Sequence, residues 1–324
     1  MDRQGRRAQP VHTQAIEGPE PGVHADIALR RFTAYALDSN LNDIKDLDCV
    51  VESAALDPAR KVLGALELQA KYLPRRPSLL PRLMSAINSD TNSMRGLAKI
   101  IGDDGALLGG LLRLANSSFY RVIGAKPIDS LEKAVTLIGT DGIRSLVATA
   151  LLHPVMTGSR GPFASFPEIT WEHSQCAAAC AELHAAQIER ADAFSARLLV
   201  LLHGLANNTV FRIAREECLS GPATVRPAAL AKLLDEWVAP TAMRIAENWQ
   251  LSPELTGVLA EPGGNGLARS LRFGRLAGAL LLLVNRGQMR ELSARAIVLA
   301  DDQRRMQIDR LWSRLAVTHL ATAR

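Results

Sequence analysis

Aliphatic residues supply almost all the apolar material of this chain, and that bias restricts the fold more than any single motif. Hydrophobic residues fill 48% of the 324 positions but aromatics only 4%, so a core must be assembled from Leu, Ala, Val and Ile. Ala and Leu lose little side-chain freedom in a helix, whereas strands draw on β-branched and aromatic residues. The composition therefore predicts an all-α chain. Its length exceeds the usual single domain, which predicts one large core with smaller segments attached.

The apolar spacing divides the chain. Residues 1–26 hold Pro, Gly, Gln and charge with little apolar content and cannot repay the entropy of ordering, so a disordered basic tail is expected there. Residues 27–61 read as a leading helical segment, with Leu29, Phe32, Tyr35 and Ala36 on one face. The main body is placed at 62–261. Within it Pro74 and Pro77 close one helix, and Ser78 caps the next, with Pro81 tolerated in its first turn. Gly102 to Gly105 interrupts the chain before Leu107 to Ala115. Asp129 with Glu132 forms a capping-box variant, and Thr140 opens a helix with Ile143, Leu146, Val147 and Ala150 inward. A Gly-, Pro- and Ser-rich linker near 157–168 precedes strong helices at Trp171–Ile188 and Phe194–Ala214. Helices at Ala228–Glu236, Thr241–Trp249 and Ser252–Glu261 follow, and residues 262–324 form Arg-rich C-terminal helices. No repeat of fixed period is present.

Several classes are excluded. The apolar run Leu276 to Val284 is far short of the roughly 20 residues that span a bilayer, and no apolar segment follows the basic N-terminus as in a secretory signal. Cys49, Cys176, Cys180 and Cys218 at irregular spacing read as reduced thiols, which places the chain in the cytoplasm. The net charge of +5 is local: Pro262 to Arg324 holds eleven Arg against four acids. Arg269, Arg272 and Arg275 recur at a three-residue step that keeps them on one helix flank. They are either a surface for phosphates or an acidic partner, or a solvated face opposite Leu276, Leu280 and Val284.

Three runs then carry a resemblance: Tyr72 to Met84 (YLPRRPSLLPRLM), Leu111 to Tyr120 (LLRLANSSFY) and Ser130 to Gly139 (SLEKAVTLIG), continued by Trp171-Glu-His-Ser174 and Leu201-Leu-His-Gly204. Together, from about Leu66 to Glu261, the sequence resembles the HDOD family. The resemblance implies an all-α multi-helix bundle related to the HD-superfamily phosphohydrolases, with extra N- and C-terminal helices, used in bacterial signal output. In active relatives a histidine on one helix and a His-Asp pair on another hold a divalent metal. His173 and His203 match the two histidines, but Gly204 stands where the resemblance calls for aspartate. No acid lies between Asp192 and Glu216, and Val238-Ala239-Pro240 and Glu261-Pro262-Gly263 offer no histidine where the family pattern often has one. Two imidazoles without a carboxylate make a poor centre for hard cations, which prefer several oxygen ligands, and hydrolysis needs a metal-bound water of raised acidity. A non-catalytic site without cofactor is expected.

Rival constellations are weaker. His173, Cys176, Cys180 and His184 share a helical stripe, but about 16 Å separates its ends, too far for one ion, and the interleaved alanines point to close packing. Asn207 and Asn208 either line the residual cleft or satisfy backbone. Arg113, Asn116, Ser117 and Tyr120 of the LRLANSSFY run suit a helix cap, with a partner contact as the alternative. The function expected is a regulatory module acting through signalling-protein partners, with homo-oligomers left open. The alternatives are a residual metal-dependent phosphohydrolase acting on nucleotides and a basic nucleic-acid-binding regulator.

Overall fold

The computed structural model describes residues 23–39, 55–65, 72–78, 80–81, 101, 105–116, 127–152, 163–219, 225–260 and 264–320. The tail before residue 23, Cys49, the helix after Ser78 beyond Pro81, the Gly102–Asp104 break, Ser117, Tyr120, His153 and most of the 157–168 linker lie outside them. Among the described residues every regular element is helical: α1 (Val23–Ala36), α2 (Asp57–Gly64), α3 (Gly105–Ala115), α4 (Leu131–Leu152), α5 (Phe166–His184), α6 (Ala193–Ala214), α7 (Pro227–Asn248), α8 (Pro253–Ala260), α9 (Gly266–Asn285), α10 (Glu291–Asp301) and α11 (Arg305–Leu320). The all-α expectation holds.

Local signals set several of these boundaries. Asp192 caps α6 by accepting from the Ser195 N–H at 2.7 Å, and Asn265 caps α9 through the Ala268 N–H at 2.9 Å, each satisfying a donor the helix cannot. Gly139, at φ 79°, breaks α4 into two helices before Thr140, a conformation that glycine adopts without a Cβ penalty. Ile143, Leu146, Val147 and Ala150 are then buried, as their spacing requires. Two boundaries differ from expectation. Ser130, not Asp129, accepts from the first turn of α4, taking the Lys133 N–H at 3.3 Å, while Asp129 pairs with the Lys133 ammonium at 2.7 Å. The two helices predicted around Pro240 are one, α7, with the proline inside it. Val238, Thr241, Ala242 and Ile245 are buried on both sides of the proline, and the Glu236 carbonyl it leaves unpaired belongs to an exposed residue, so packing offsets the lost hydrogen bond.

The long helices lie side by side in the order α9, α5, α6, α7. Helix α6 is buried on every face from Ala196 to Leu202, which identifies it as the centre of the bundle. Arg197 of α6 is 2% exposed and grips Glu182 of α5 at 2.5 and 2.8 Å, while Ser145 of α4 donates to the other carboxylate oxygen at 2.6 Å. Helices α4, α5 and α6 are fixed to one another by this buried pair. On the other side α9 meets α5 at very short range: a Cβ on Gly274 would fall 2.5 Å from the Ala177 carbonyl oxygen, and one on Gly278 would fall 2.7 Å from the Ala177 backbone. Helix α9 is therefore part of the central core, and α1, α10 and α11 close a second apolar cluster over it around Phe273, Leu280, Val298 and Trp312.

Gly278→Ala is expected to destabilise the protein by about 1–3 kcal/mol, because the methyl group has backbone and not a flexible side chain in its way. Gly257→Ala in α8, where nothing lies within 4 Å, is expected to stabilise by about 0.5–1 kcal/mol through helix propensity. Urea unfolding midpoints of the two variants check both signs.

Candidate functional site

The two family histidines converge on one cavity of about 310 Å³. His173 reaches it from the first half of α5, and His203 with Gly204 from the middle of α6. Helix α7 adds Leu234, Asp235, Val238 and Ala239, α9 adds Arg275, and α1 covers it with Asp26, Leu29, Arg30 and Phe32. Val238 and Ala239 thus stand in the wall with no donor atom in their side chains, at the positions where a further histidine was sought.

His173 Nε2 lies 2.9 Å from the main-chain carbonyl oxygen of Arg275. A carbonyl oxygen can only accept, so Nε2 carries the proton and donates it. The same ring packs on Phe32 with centroids 4.3 Å apart. Burial pushes the His173 pKa down to about 4, opposed by the carbonyl bond and reinforced by the Arg275 charge. His203 is held well below its ordinary value by burial, then by the charges of Arg275 and His173. Both imidazoles are therefore neutral at pH 7.

The donor set does not fit a divalent ion. Nε2 of His173 is spent on Arg275 and leaves that ring only Nδ1 as a ligand, and Gly204 supplies no oxygen from a side chain. Asp26 and Asp235 do line the cavity, but among the described residues no three His, Cys, Asp or Glu side chains gather as a metal site. Hard cations need several oxygens at coordination distance, and the two carboxylates of this wall do not gather with the imidazoles.

The predicted arginine stripe separates into three settings. Arg269 forms a bidentate pair with Glu189 at 2.5 and 3.0 Å, and Arg304 joins the same carboxylate at 2.5 Å. Glu189 is only 3% exposed; burial alone would raise its pKa, yet the two guanidiniums hold it at about 2. Arg272 lies 3.6 Å from Asp301 and stays largely exposed. The Arg275 side chain is half-buried and faces the cavity, with the Asp235 charge nearby. No hydrogen bond links that side chain to another described residue.

The other singled-out residues have structural surroundings. Asn116 takes the Ile128 N–H on its side-chain oxygen and gives its amide to the Leu112 and Ile128 carbonyls, at 2.7–2.8 Å, tying the end of α3 to the start of α4. Arg113 is exposed on α3. Asn208 donates to Thr170, while Asn207 lines the cavity. The α5 stripe does not gather: Cys176 and Cys180 are buried in the second apolar cluster, and His184, at the far end, contacts Ser270 Oγ at 3.0 Å. Asp26, Arg30 and Asp235 were not anticipated as wall residues, since nothing local in the sequence marks which helices will meet.

The HDOD domain model matches residues 73–262. Among solved structures, the chain is similar to an HDOD domain protein of unknown function from Geobacter sulfurreducens, at 18% identity and TM-score 0.56, over 83% of this chain and 97% of that one. It is also similar to a protein provisionally named a metal-dependent phosphohydrolase from Shewanella amazonensis SB2B, at 18% identity and TM-score 0.51, over 81% and 99% of the two chains. A provisional phosphohydrolase from the same organism follows at 16% identity and TM-score 0.54, over 81% and 94%. No curated protein matches the chain.

The buried histidines set a pH dependence. His173, His184 and His319 have folded pKa values near 4, each through burial first, against an ordinary 6.5. The unfolded chain therefore binds protons that the native one refuses as pH falls from 6.5 towards 4. Stability is expected to be full above pH 6.5 and to fall below it, by roughly 1.4 kcal/mol per pH unit per histidine. Urea midpoints at pH 7, 6 and 5 measure this above the carboxylate range, and a flat profile would contradict the neutral-histidine assignment.

Proposed function

The chain belongs to the HDOD family, and from that premise we propose that it is a non-catalytic regulatory module of bacterial signal transduction, acting through protein contacts in the cytoplasm. The observation that carries this reading is Gly204 in the cavity wall beside His173 and His203. It stands where the family pattern has a carboxylate, and among the described residues no three His, Cys, Asp or Glu side chains gather there in its place. Without a metal there is no route to an activated water in this cavity. Among the described residues no helix is long and apolar enough to cross a membrane.

The C-terminal helices are the proposed contact surface. Leu292, Met306 and Val317 are 72%, 77% and 74% exposed there. A nucleic-acid surface is the weaker reading, because Arg269 and Arg272 already face Glu189 and Asp301. A residual phosphohydrolase has one observation in its favour, the presence of Asp26 and Asp235 in the cavity wall.

Elemental analysis after equilibration with Mn²⁺, Mg²⁺, Fe²⁺ and Zn²⁺, with phosphatase and phosphodiesterase assays on nucleotide substrates, separates these. Less than stoichiometric metal and turnover equal to that of His203→Ala are expected. Stoichiometric metal together with turnover that His203→Ala abolishes would overturn the proposal.

A further inference from the structure

We propose that the cavity lined by α1, α5, α6, α7 and α9 is a receptor site for a zwitterionic metabolite of amino-acid size with an apolar side chain. The inference rests on the non-catalytic reading of the same cavity and names what it holds in place of a metal.

The charges in the wall define the ligand's polarity. Arg275 and Arg30 are opposed by Asp26 and Asp235, and the two histidines add no charge at neutral pH. The Arg275 guanidinium stands among His173, His203 and Asp235 without a hydrogen bond to any of them, and a planar fork of donors in that state fits a carboxylate. A simple anion seated there would meet the Asp235 carboxylate at close quarters. A simple cation seated on Asp235 would meet Arg275. A molecule carrying both charges a few ångströms apart satisfies both at once, its carboxylate on Arg275 and its ammonium towards Asp235.

The rest of the wall defines size and side chain. Leu29, Phe32, Val200 and Leu234 give the cavity apolar surface, and Asn207 adds one amide to the same wall. A volume near 310 Å³ lies at the small end of ligand pockets, which suits an amino acid. Asp26, Arg30 and Arg275 all lie outside residues 73–262. The site is thus assembled by joining α1 and α9 to the family domain, and occupancy would bear directly on how α1 packs, which gives a regulatory module an input.

The test is isothermal titration calorimetry on the full chain with L-leucine, L-methionine and L-phenylalanine. L-Leucinamide lacks the carboxylate, 4-methylpentanoate lacks the ammonium, and inorganic phosphate serves as an anion without either partner. At least one amino acid is expected to bind 1:1, with leucinamide and 4-methylpentanoate each weaker by about tenfold or more. Arg275→Gln, which keeps the main-chain carbonyl used by His173, and Asp235→Asn are each expected to weaken binding by about 10- to 100-fold. Glu247→Gln, exposed elsewhere on α7, is expected to change nothing, and thermal melts of all three variants establish that they fold.

Absence of binding by all three amino acids up to about 10 mM would overturn the proposal. So would binding indifferent to both cavity variants, or binding of phosphate in preference. Metal-dependent turnover would instead defeat the non-catalytic reading, whereas an inactive, metal-free protein that ignores all three amino acids would defeat this inference alone.

Discussion

The close approach of α9 to α5 determines most of what this molecule is. Gly274 and Gly278 present no Cβ, so the α9 backbone comes down onto Ala177 and Ala181 of α5. Any larger pair would hold the helices apart, because ridges of side chains set helix spacing. At this spacing one carbonyl of α9 reaches an imidazole of α5. The same packing that completes the core therefore also decides the protonation site of His173 and shapes the cavity beside it.

Charge is buried sparingly, and almost always with a partner. Glu182 and Arg197 hold α4, α5 and α6 together, and Glu189, gripped by Arg269 and Arg304, holds the segment after α5 to α9 and to the turn before α11. Such pairs add little net stability after desolvation, but leaving one member alone would be costly, so they specify which helices meet and in what register. Arg275 departs from that pattern. Its guanidinium has the Asp235 charge nearby but no hydrogen-bonded carboxylate among the described residues.

The sequence made the helices and the two histidines legible because both are local signals. Leu and Ala at helical spacing, the break at Gly139 and the caps at Asp192 and Asn265 need only their neighbours in the chain. The family runs also located the site, since His173, His203 and Gly204 do come together. What sequence reading missed depends on distant partners. Pro240 sits inside α7 because the core holds both sides of it. Arg269 and Arg272 are claimed by acids from other helices, and Asp26 becomes a wall residue only once α1 lies across α5 and α7. Periodicity says which face of a helix is apolar but not which helix will cover it, and the Arg275 contact uses a main-chain atom that has no residue signature at all.

That last point bears on what substitution can change. A side-chain group can be added or removed by one codon change, as glycine to aspartate at position 204 would do. A peptide oxygen cannot be deleted by any substitution at position 275, since every amino acid brings its own. Freeing His173 Nε2 from it would require the whole helix to be displaced, and with it the seam of glycines and alanines that seats it. The tautomer of that imidazole is thus set by architecture and not by the choice of any one side chain.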